Sequence, residues 1–245
     1  MGSAVMTAVA IADNLASVRE RIAAAARRAG REPDSVRLVA VSKGQRPEAV
    51  REAFQAGVRD FGENRVEEAL PKQPALADLG GLRWHMIGHI QSRKARLVVP
   101  AFALVHSVDR LKLAKLLDQH AATTGRKLPV LLECNVSGEA TKEGWDFSDR
   151  ERWGEAEKEL AEVLDLPNLE VQGLMTMAPW STDQTMVRGI FRKLRELRDD
   201  LAAHLPGCWD ELSMGMTDDF ELAVEEGATM VRIGRAIFGP RAEAT

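Results

Sequence analysis

The chain contains no tyrosine, only two cysteines, and no apolar run long enough to cross a bilayer. Cys134 and Cys208 lie far apart and do not have the spacing of a metal site. The first residues lack the basic region and apolar core that together mark a secretory signal. These absences predict a reduced, cytoplasmic protein that does not contact a membrane. They also leave the chain without a phenolic acid or base.

A large excess of charge of one sign is also absent. The 33 basic and 37 acidic residues give a formal net charge of −4, which argues against a general nucleic-acid or anionic-membrane surface. A hydrophobic content of 45% and a charged content of 29% are typical of globular proteins. No linker, repeat or low-complexity tract divides the 245 residues. We therefore expect one domain over residues 1–245.

Short apolar segments alternate with helical patterns along most of the chain. The N-terminal segment places five apolar residues on one helical face, namely Ile11, Leu15, Val18, Ile22 and Ala26. Eight later segments have the length and composition of buried strands. They are Leu38–Ser42, Val58–Gly62, Trp84–Gly88, Leu104–Ser107, Val130–Val136, Leu169–Met175, Glu211–Gly215 and Met230–Ile233. The clearest helical patterns between them are Leu111–Ala122, Trp153–Leu164 and Val187–Leu201.

This alternation predicts a parallel sheet with helices on its outside. Eight strands preceded by one extra helix favour an α/β fold of the (β/α)₈ TIM-barrel type over an open doubly wound sheet. No G-x-G-x-x-G sequence follows the first strand, which further weakens a dinucleotide-binding interpretation. In such barrels the functional site lies at the carboxyl ends of the strands.

A lysine stands at the carboxyl end of the first predicted strand. The run from Arg37 to Gly44 is apolar and β-branched, yet Lys43 follows it where a turn residue is expected. A lysine held there with little solvent has a lowered pKa and a nucleophilic amine suited to Schiff-base chemistry. The alternative is a lysine that has merely reached solvent at the end of a strand. The other strand ends decide between the two.

Polar residues follow several other strands. Asn64, Asp109 and Thr217 are three of them, and each is equally typical of a helix cap, the role we expect for Asp109. The ends of strands seven and eight, where such barrels frequently bind phosphate, carry glycines that permit close backbone approach. Asp218 and Asp219 would repel an anion at the helix after strand seven. We therefore expect the phosphate contacts to come from Ser213, Gly234 and Arg235.

A lysine on one side and a phosphate site on the other predict a phosphorylated carbonyl compound bound as a Schiff base. Pyridoxal 5′-phosphate (PLP) and a sugar phosphate in an aldolase both satisfy this description. The residues considered so far leave both open.

Seven segments in consistent order from about Leu38 to Gly239 resemble the pyridoxal phosphate homeostasis protein family. They are Leu38-Val-Ala-Val-Ser-Lys43, Phe61-Gly-Glu-Asn64, Trp84-His-Met-Ile-Gly88, Asn135-Val-Ser-Gly-Glu139, Gly173-Leu-Met-Thr-Met-Ala-Pro179, Leu212-Ser-Met-Gly-Met216 and Val231-Arg-Ile-Gly-Arg-Ala-Ile-Phe-Gly239. This family is similar to the barrel domain of alanine racemase but lacks that enzyme's second domain. The resemblance therefore implies PLP as the cofactor.

The resemblance also implies roles for individual residues. Lys43 would form the Schiff base with PLP, Asn64 would lie beside the ring, and Arg232 would face the pyridine nitrogen. The phosphate would be bound by Ser213, Gly234 and the backbone of Arg235, and His85 would be a rim residue near the ring. The chain departs from the family pattern at Arg65, where an aromatic residue is usual, and at Arg93, where asparagine is common. No catalytic or metal-binding residue is expected.

The function expected from the resemblance is storage, buffering and delivery of PLP, linked to amino-acid balance. An arginine cannot readily lose its proton, so Arg232 would leave the pyridine nitrogen unprotonated and the ring a weaker electron sink. Related racemases use a tyrosine from their second domain as the opposite base, and this chain has no tyrosine. A weak PLP enzyme acting on amino acids remains the alternative, followed by a cofactor-free Schiff-base lyase acting on a phosphosugar. The expected partners are PLP and PLP-dependent apoenzymes, with a monomer or weak dimer as the oligomeric state.

Overall fold

The computed structural model describes residues 2–240, except for the side chains of residues 2–9 and 152. Residue 1 and residues 241–245, which the predicted domain included, lie outside the described residues. Nine parallel strands are present in the described part of the chain. They are β1 (Arg37–Val41), β2 (Asp60–Glu63), β3 (Arg83–Met86), β4 (Leu104–Val108), β5 (Leu128–Asn135), β6 (Trp145–Asp146), β7 (Leu169–Met175), β8 (Glu211–Ser213) and β9 (Met230–Ile233).

Eight of these strands close into a barrel, which confirms the predicted fold class. The sheet runs in the order β4, β3, β2, β1, β9, β8, β7, β5, and a pairing between β4 and β5 closes it. Every pairing is parallel. The two-residue strand β6 pairs only with β5, outside the closed ring, and the sequence patterns did not predict it.

Nine α-helices precede, connect or follow the strands in the described residues. They are α1 (Gly2–Arg28), α2 (Pro47–Gln55), α3 (Val66–Ala69), α4 (Ala95–Ala101), α5 (Leu111–Thr124), α6 (Trp153–Leu164), α7 (Gln184–His204), α8 (Phe220–Glu225) and α9 (Arg235–Phe238). The five apolar residues predicted to share one face of the N-terminal helix are all buried. No helix of the described part of the chain is long and apolar enough to span a membrane.

Strand β8 ends two residues earlier than predicted. Gly215 has a φ of +92°, and a Cβ on it would lie 2.6 Å from the Cβ of Ala223 and 3.0 Å from the Cα of Phe220, both in α8. Only a glycine fits this turn, because the backbone leaves the barrel here and packs directly against α8. The residues after Ser213 therefore form a loop at the mouth of the barrel.

The barrel interior begins with an apolar layer, formed by Val39, Leu104, Leu131, Met175 and Met230. Because successive side chains of a strand point to opposite faces, residues two positions further along also point inward. The next interior layer is partly polar and includes His106, Glu133 and Arg232, all buried. Along β1, the same alternation runs from Val39 through Val41 to Lys43. Lys43 therefore lies at the mouth of the barrel.

Candidate functional site

A cavity of about 500 Å³ opens at the carboxyl ends of the strands. Five of the seven predicted site residues line it, namely Lys43, Asn64, Arg232, Gly234 and Arg235. His85 and Ser213 do not. The remaining lining residues are Val41, Gln45, Ile87, Met177, Met216, Thr217, Asp218, Gly239 and Pro240.

A buried ionic cluster holds the strand end that carries Lys43. The Lys72 ammonium donates to Glu63 Oε1 at 2.7 Å and to the carbonyl of Ser42 at 2.8 Å. The Ser42 hydroxyl donates to the same Glu63 oxygen at 2.7 Å. Burial raises the pKa of the Glu63 carboxyl, and the hydrogen bond from Lys72 opposes that rise. Because Ser42 directly precedes Lys43, this cluster restricts where the backbone can present the lysine.

Arg232 lies at the bottom of the cavity and is 4% exposed. Its Nη1 donates to Ser213 Oγ at 2.6 Å, and its Nη2 donates to the carbonyl of Thr176 at 2.9 Å. Burial lowers the pKa of Arg232 to about 10, and the charges of Glu133 and Asp219 oppose this. The guanidinium stays charged at neutral pH, so it offers only donors to a ligand.

Asn64, the residue that directly follows β2, lines the cavity. Its Oδ1 is buried and has no hydrogen-bond partner among the described residues. An unpaired buried acceptor costs free energy, which a ligand that donates a hydrogen bond would recover. The Asn64 backbone packs directly against Gly88. Only a glycine permits this contact, since a Cβ on it would lie 2.3 Å from the Asn64 carbonyl oxygen.

The opposite wall of the cavity is formed by the loops after β8 and β9. Thr217, Gly234 and Arg235 lie there. A Cβ on Gly234 would lie 3.2 Å from the Val41 carbonyl oxygen, so glycine lets β9 pack closely against β1. The Arg235 guanidinium pairs with Asp218 across the mouth, and both side chains are largely exposed. This pair reduces the repulsion that Asp218 would exert on an anion.

The structure corrects the position of Ser213. We expected its hydroxyl to bind a phosphate at the mouth, but the side chain is fully buried and bonded to His106 and Arg232. The reason is the strand register, since Ser213 pairs with Met175 and Met230, which belong to the apolar interior layer below Arg232. Thr217, four residues further along the same segment, takes the position at the cavity.

His85 is also corrected, because it is not a rim residue. It is 2% exposed, lies on β3, and binds Asp60 and His106 in the barrel interior. Its strand ends at Met86, and Ile87 is the residue of this segment that reaches the cavity.

Two further residues named from the sequence, Asp109 and Arg65, contact neighbouring side chains. Asp109 does not cap α5, whose first residues receive no side-chain cap bond, and it instead contacts His89 at 2.8 Å and Arg110 at 2.5 Å. The Arg65 side chain is 75% exposed and faces Glu68 at 3.5 Å, so its positive charge stands outside the cavity.

Sequence reasoning missed the apolar part of the cavity and the hydroxyl of Thr217. Met177 and Met216 flank the opening and are both partly exposed, which is unusual for large apolar side chains. Thr217 carried a signal, since it ends the same motif as Ser213, but the sequence pattern is equally typical of a helix cap. No comparable signal distinguished the two methionines from core residues.

Comparisons with known proteins identify the family of this chain. Residues 14–242 match the family model described as "Alanine racemase, N-terminal domain". The pyridoxal phosphate homeostasis protein of Pseudomonas aeruginosa is 49% identical over 231 residues, which cover 94% of this chain and 96% of the relative. That of Aquifex aeolicus is 45% identical over 230 residues, covering 94% of this chain and 97% of the relative.

Solved structures support the same relationship. The structure of PipY from Synechococcus elongatus with PLP bound has a TM-score of 0.81 at 40% identity, covering 94% of this chain and 100% of that one. An alanine racemase from Corynebacterium glutamicum has a TM-score of 0.69 at 19% identity, covering 97% of this chain and 64% of that one. The second match shows a shared fold alone.

The fold and the site define a single (β/α)₈ barrel of the alanine racemase type, with a lysine at the end of its first strand. The chain belongs to the alanine racemase N-terminal domain family and, within it, to the pyridoxal phosphate homeostasis proteins.

Proposed function

We propose that this chain binds PLP covalently through Lys43 and stores, buffers and delivers it in the cytoplasm. The observation that carries the proposal is that Lys43 and Arg232 line one cavity of about 500 Å³ at the carboxyl end of the barrel. A primary amine and a donor-only guanidinium suit the two reactive ends of PLP, its aldehyde and its pyridine nitrogen. Membership of the pyridoxal phosphate homeostasis family and the PLP bound in the PipY structure support the choice of cofactor.

The residues present fit this cofactor. Asn64 has a buried oxygen that lacks a partner among the described residues and can accept a hydrogen bond from the ligand. Arg232 is held at the bottom of the cavity, where it donates to the ring nitrogen. When bound, PLP supplies an aldehyde that condenses with amines and a ring that withdraws electrons.

The phosphate is assigned to the wall formed by the loops after β8 and β9. Thr217 offers a hydroxyl there, and the first amides of α9, at Arg235 and Ala236, have no acceptor within their own helix. The Arg235 guanidinium contributes less, because Asp218 already pairs with it. This assignment replaces Ser213 with Thr217.

Storage rather than turnover is favoured by the groups around the ring. Arg232 cannot protonate the pyridine nitrogen readily, so a bound ring withdraws electrons weakly. The chain has no tyrosine to serve as the opposite base of a racemase. The cavity can therefore hold the cofactor without the groups that would speed its usual reactions, and we infer that PLP-dependent apoenzymes receive it.

The binding proposal is tested by adding PLP to the purified protein, reducing with borohydride and mapping the labelled peptide by mass spectrometry. We expect the label on Lys43 and its loss in Lys43→Ala, which should remain folded because the side chain is not part of the core. Lys142→Ala serves as the control, since Lys142 is a partly buried lysine that donates to the Met177 carbonyl. A label that persists in Lys43→Ala on the peptide of another lysine would overturn the assignment.

The delivery proposal needs a separate experiment. The loaded protein is incubated with a PLP-dependent apoenzyme in the presence of a phosphatase that destroys free PLP. We expect the apoenzyme to be reactivated from the loaded protein but not from free PLP under the same conditions. Equal loss of reactivation in both samples would contradict direct transfer, and formation of new amino-acid products by the loaded protein alone would favour the enzyme alternative.

A further inference from the structure

A continuous chain of hydrogen bonds runs through the barrel interior from Arg232 to Asp60. Arg232 Nη1 lies 2.6 Å from Ser213 Oγ, which lies 2.8 Å from His106 Nδ1. His106 Nε2 lies 2.9 Å from His85 Nδ1, and His85 Nε2 lies 2.8 Å from Asp60 Oδ1. Five side chains from β2, β3, β4, β8 and β9 are thereby joined.

Both ends of this chain have a fixed role. Arg232 carries only donors, so Ser213 Oγ must accept from it. At the other end, Asp60 receives two bonds from Arg83, each 2.7 Å long. The pKa of the Asp60 carboxyl is lowered to about 2, because the bonds from His85 and Arg83 outweigh its burial. Asp60 is therefore a carboxylate, which can only accept.

One set of directions for the bonds in between satisfies all of these contacts with a single proton on each ring. The Ser213 hydroxyl accepts from Arg232 and has one proton, which it donates to His106 Nδ1. Burial lowers the pKa of His106 well below its usual range, with further lowering by Arg232 and Arg37, so the ring is neutral, and the bond accepted at Nδ1 leaves its proton on Nε2. That proton goes to His85 Nδ1. His85 then donates from Nε2 to Asp60, and both imidazoles have the same tautomer.

We propose that Ser213, His106 and His85 are positioning residues that hold Arg232 as a donor toward the bound cofactor. The proposal rests on the proposed function, because it assigns these buried residues to the PLP site. None of them lines the cavity, and they act by holding the Arg232 guanidinium from the side of the core. The carbonyl of Thr176 accepts from the other terminal nitrogen, so two of the five N–H groups of Arg232 are held. The others are left for the ligand.

The direction of these hydrogen bonds, from Arg232 toward Asp60, also restricts which ligand the site accepts. A neutral pyridine nitrogen can receive a hydrogen bond from Arg232, whereas a protonated or N-methylated ring would face a cation. Reversing Arg232 into an acceptor would require each group of the chain to pass a proton toward Asp60. The low pKa of Asp60 opposes that transfer. The site is thus built for an unprotonated pyridine.

The first test uses the protein without PLP and reads the histidine tautomers by NMR after labelling with ¹⁵N-histidine. The protein has five histidines. His89, His120 and His204 are not part of the interior series of hydrogen bonds and serve as references. We expect both interior rings to carry a proton on Nε2 and to accept a hydrogen bond at Nδ1. In Ser213→Ala, the Nδ1 signal of His106 should shift, because it loses its donor. A proton on Nδ1 of either ring, or a doubly protonated ring, would overturn the proposal.

The matched control is Ser107→Ala. Ser107 is equally buried and also donates one hydrogen bond, but to the carbonyl of Gly88 and not within the chain. This variant should leave the signals of both interior histidines unchanged. Equal shifts in Ser107→Ala and Ser213→Ala would indicate a general loss of packing and would contradict the specific role.

The second test measures PLP bound to the folded variants. Ser213→Ala should release PLP about tenfold faster than wild type, which corresponds to one weakened hydrogen bond to a charged group. The ¹⁵N signal of the pyridine nitrogen in labelled PLP should also shift, whereas Ser107→Ala should change neither quantity. Unchanged release and an unchanged ring signal in Ser213→Ala would overturn the positioning role. Failure of the wild-type protein to bind PLP would instead reject the proposed function, and the tautomers would still decide whether the chain is one-way.

Discussion

The Lys72 ammonium binds the Glu63 carboxylate at 2.7 Å directly behind the cavity wall, and both side chains are almost completely buried. The same ammonium holds the carbonyl of Ser42, the residue before Lys43. Neither Lys72 nor Glu63 lines the cavity, yet together they anchor the strand end that presents the lysine.

Lys72→Met should destabilise the fold strongly. Removing one partner of a buried ion pair leaves an uncompensated charge and costs roughly 3–5 kcal/mol. Urea denaturation of the PLP-free protein measures the loss, and Lys72→Met combined with Glu63→Leu should recover most of it. Equal stability of the single variant and wild type would show that the pair does not hold this strand end.

Thr217→Val should weaken PLP retention while leaving the fold intact. The substitution conserves shape but removes the hydroxyl assigned to the phosphate, which is worth about 1.5–3 kcal/mol when a charged group is bound. Pyridoxal, which lacks the phosphate, serves as the control ligand and should bind equally to wild type and variant. Parallel losses for PLP and pyridoxal would place Thr217 away from the phosphate.

Glu133→Gln should stabilise the PLP-free protein at alkaline pH. Burial, reinforced by Asp109, raises the pKa of the Glu133 carboxyl to about 7 from its ordinary value of 4.5. Between these values the unfolded chain has already lost its proton and the folded chain keeps it, so wild type loses stability as pH rises through this window.

The gain of Glu133→Gln over wild type at pH 8 should therefore be on the order of 3 kcal/mol. It should vanish below a pH of about 4.5, where the carboxyl is protonated in both states. Urea denaturation at a series of pH values measures the difference. A gain that is independent of pH would contradict the assigned cause.

Asp60→Asn should have the opposite pH dependence. The pKa of the folded carboxyl is about 2 and its ordinary value is 3.8, so the carboxylate stabilises the fold above the second value. The variant should lose on the order of 2 kcal/mol at neutral pH, and its deficit should shrink as pH falls from about 4 toward 2. Thermal unfolding of both proteins across this range provides the measurement, and a deficit that persists at the lowest pH would argue against it.

Much of the fold was predictable because its signals are local. Apolar periodicity identifies all eight barrel strands and the three clearest helical patterns, and β7, β9 and α6 have the predicted bounds. The short strand β6 was missed, since two residues carry no periodicity. The ends of β3 and β8 were placed too late, because apolar residues continue beyond the point where hydrogen bonding to the neighbouring strand stops.

Some residues of the candidate site were likewise predictable from local sequence, and others depended on contacts between distant segments. The alternation of β1 and β9 is a property of the local sequence, and it placed Lys43 and Arg232 at one mouth. The separation of Ser213 from Thr217 depended on the contact of Gly215 with α8, which no local pattern records. The placement of His85 depended on partners from two other strands.

The sequence by itself determined the barrel, the end at which the site lies, and Lys43 and Arg232 as two residues of that site. Strand periodicity and the order of elements are sufficient for this, because a parallel barrel brings all its carboxyl ends to one side. Only the tertiary structure decided which polar residues point into the cavity and which are joined in the interior. Those contacts depend on the alignment of strands that are far apart in the chain. A shift of two residues in that alignment moves a hydroxyl from the mouth into the core.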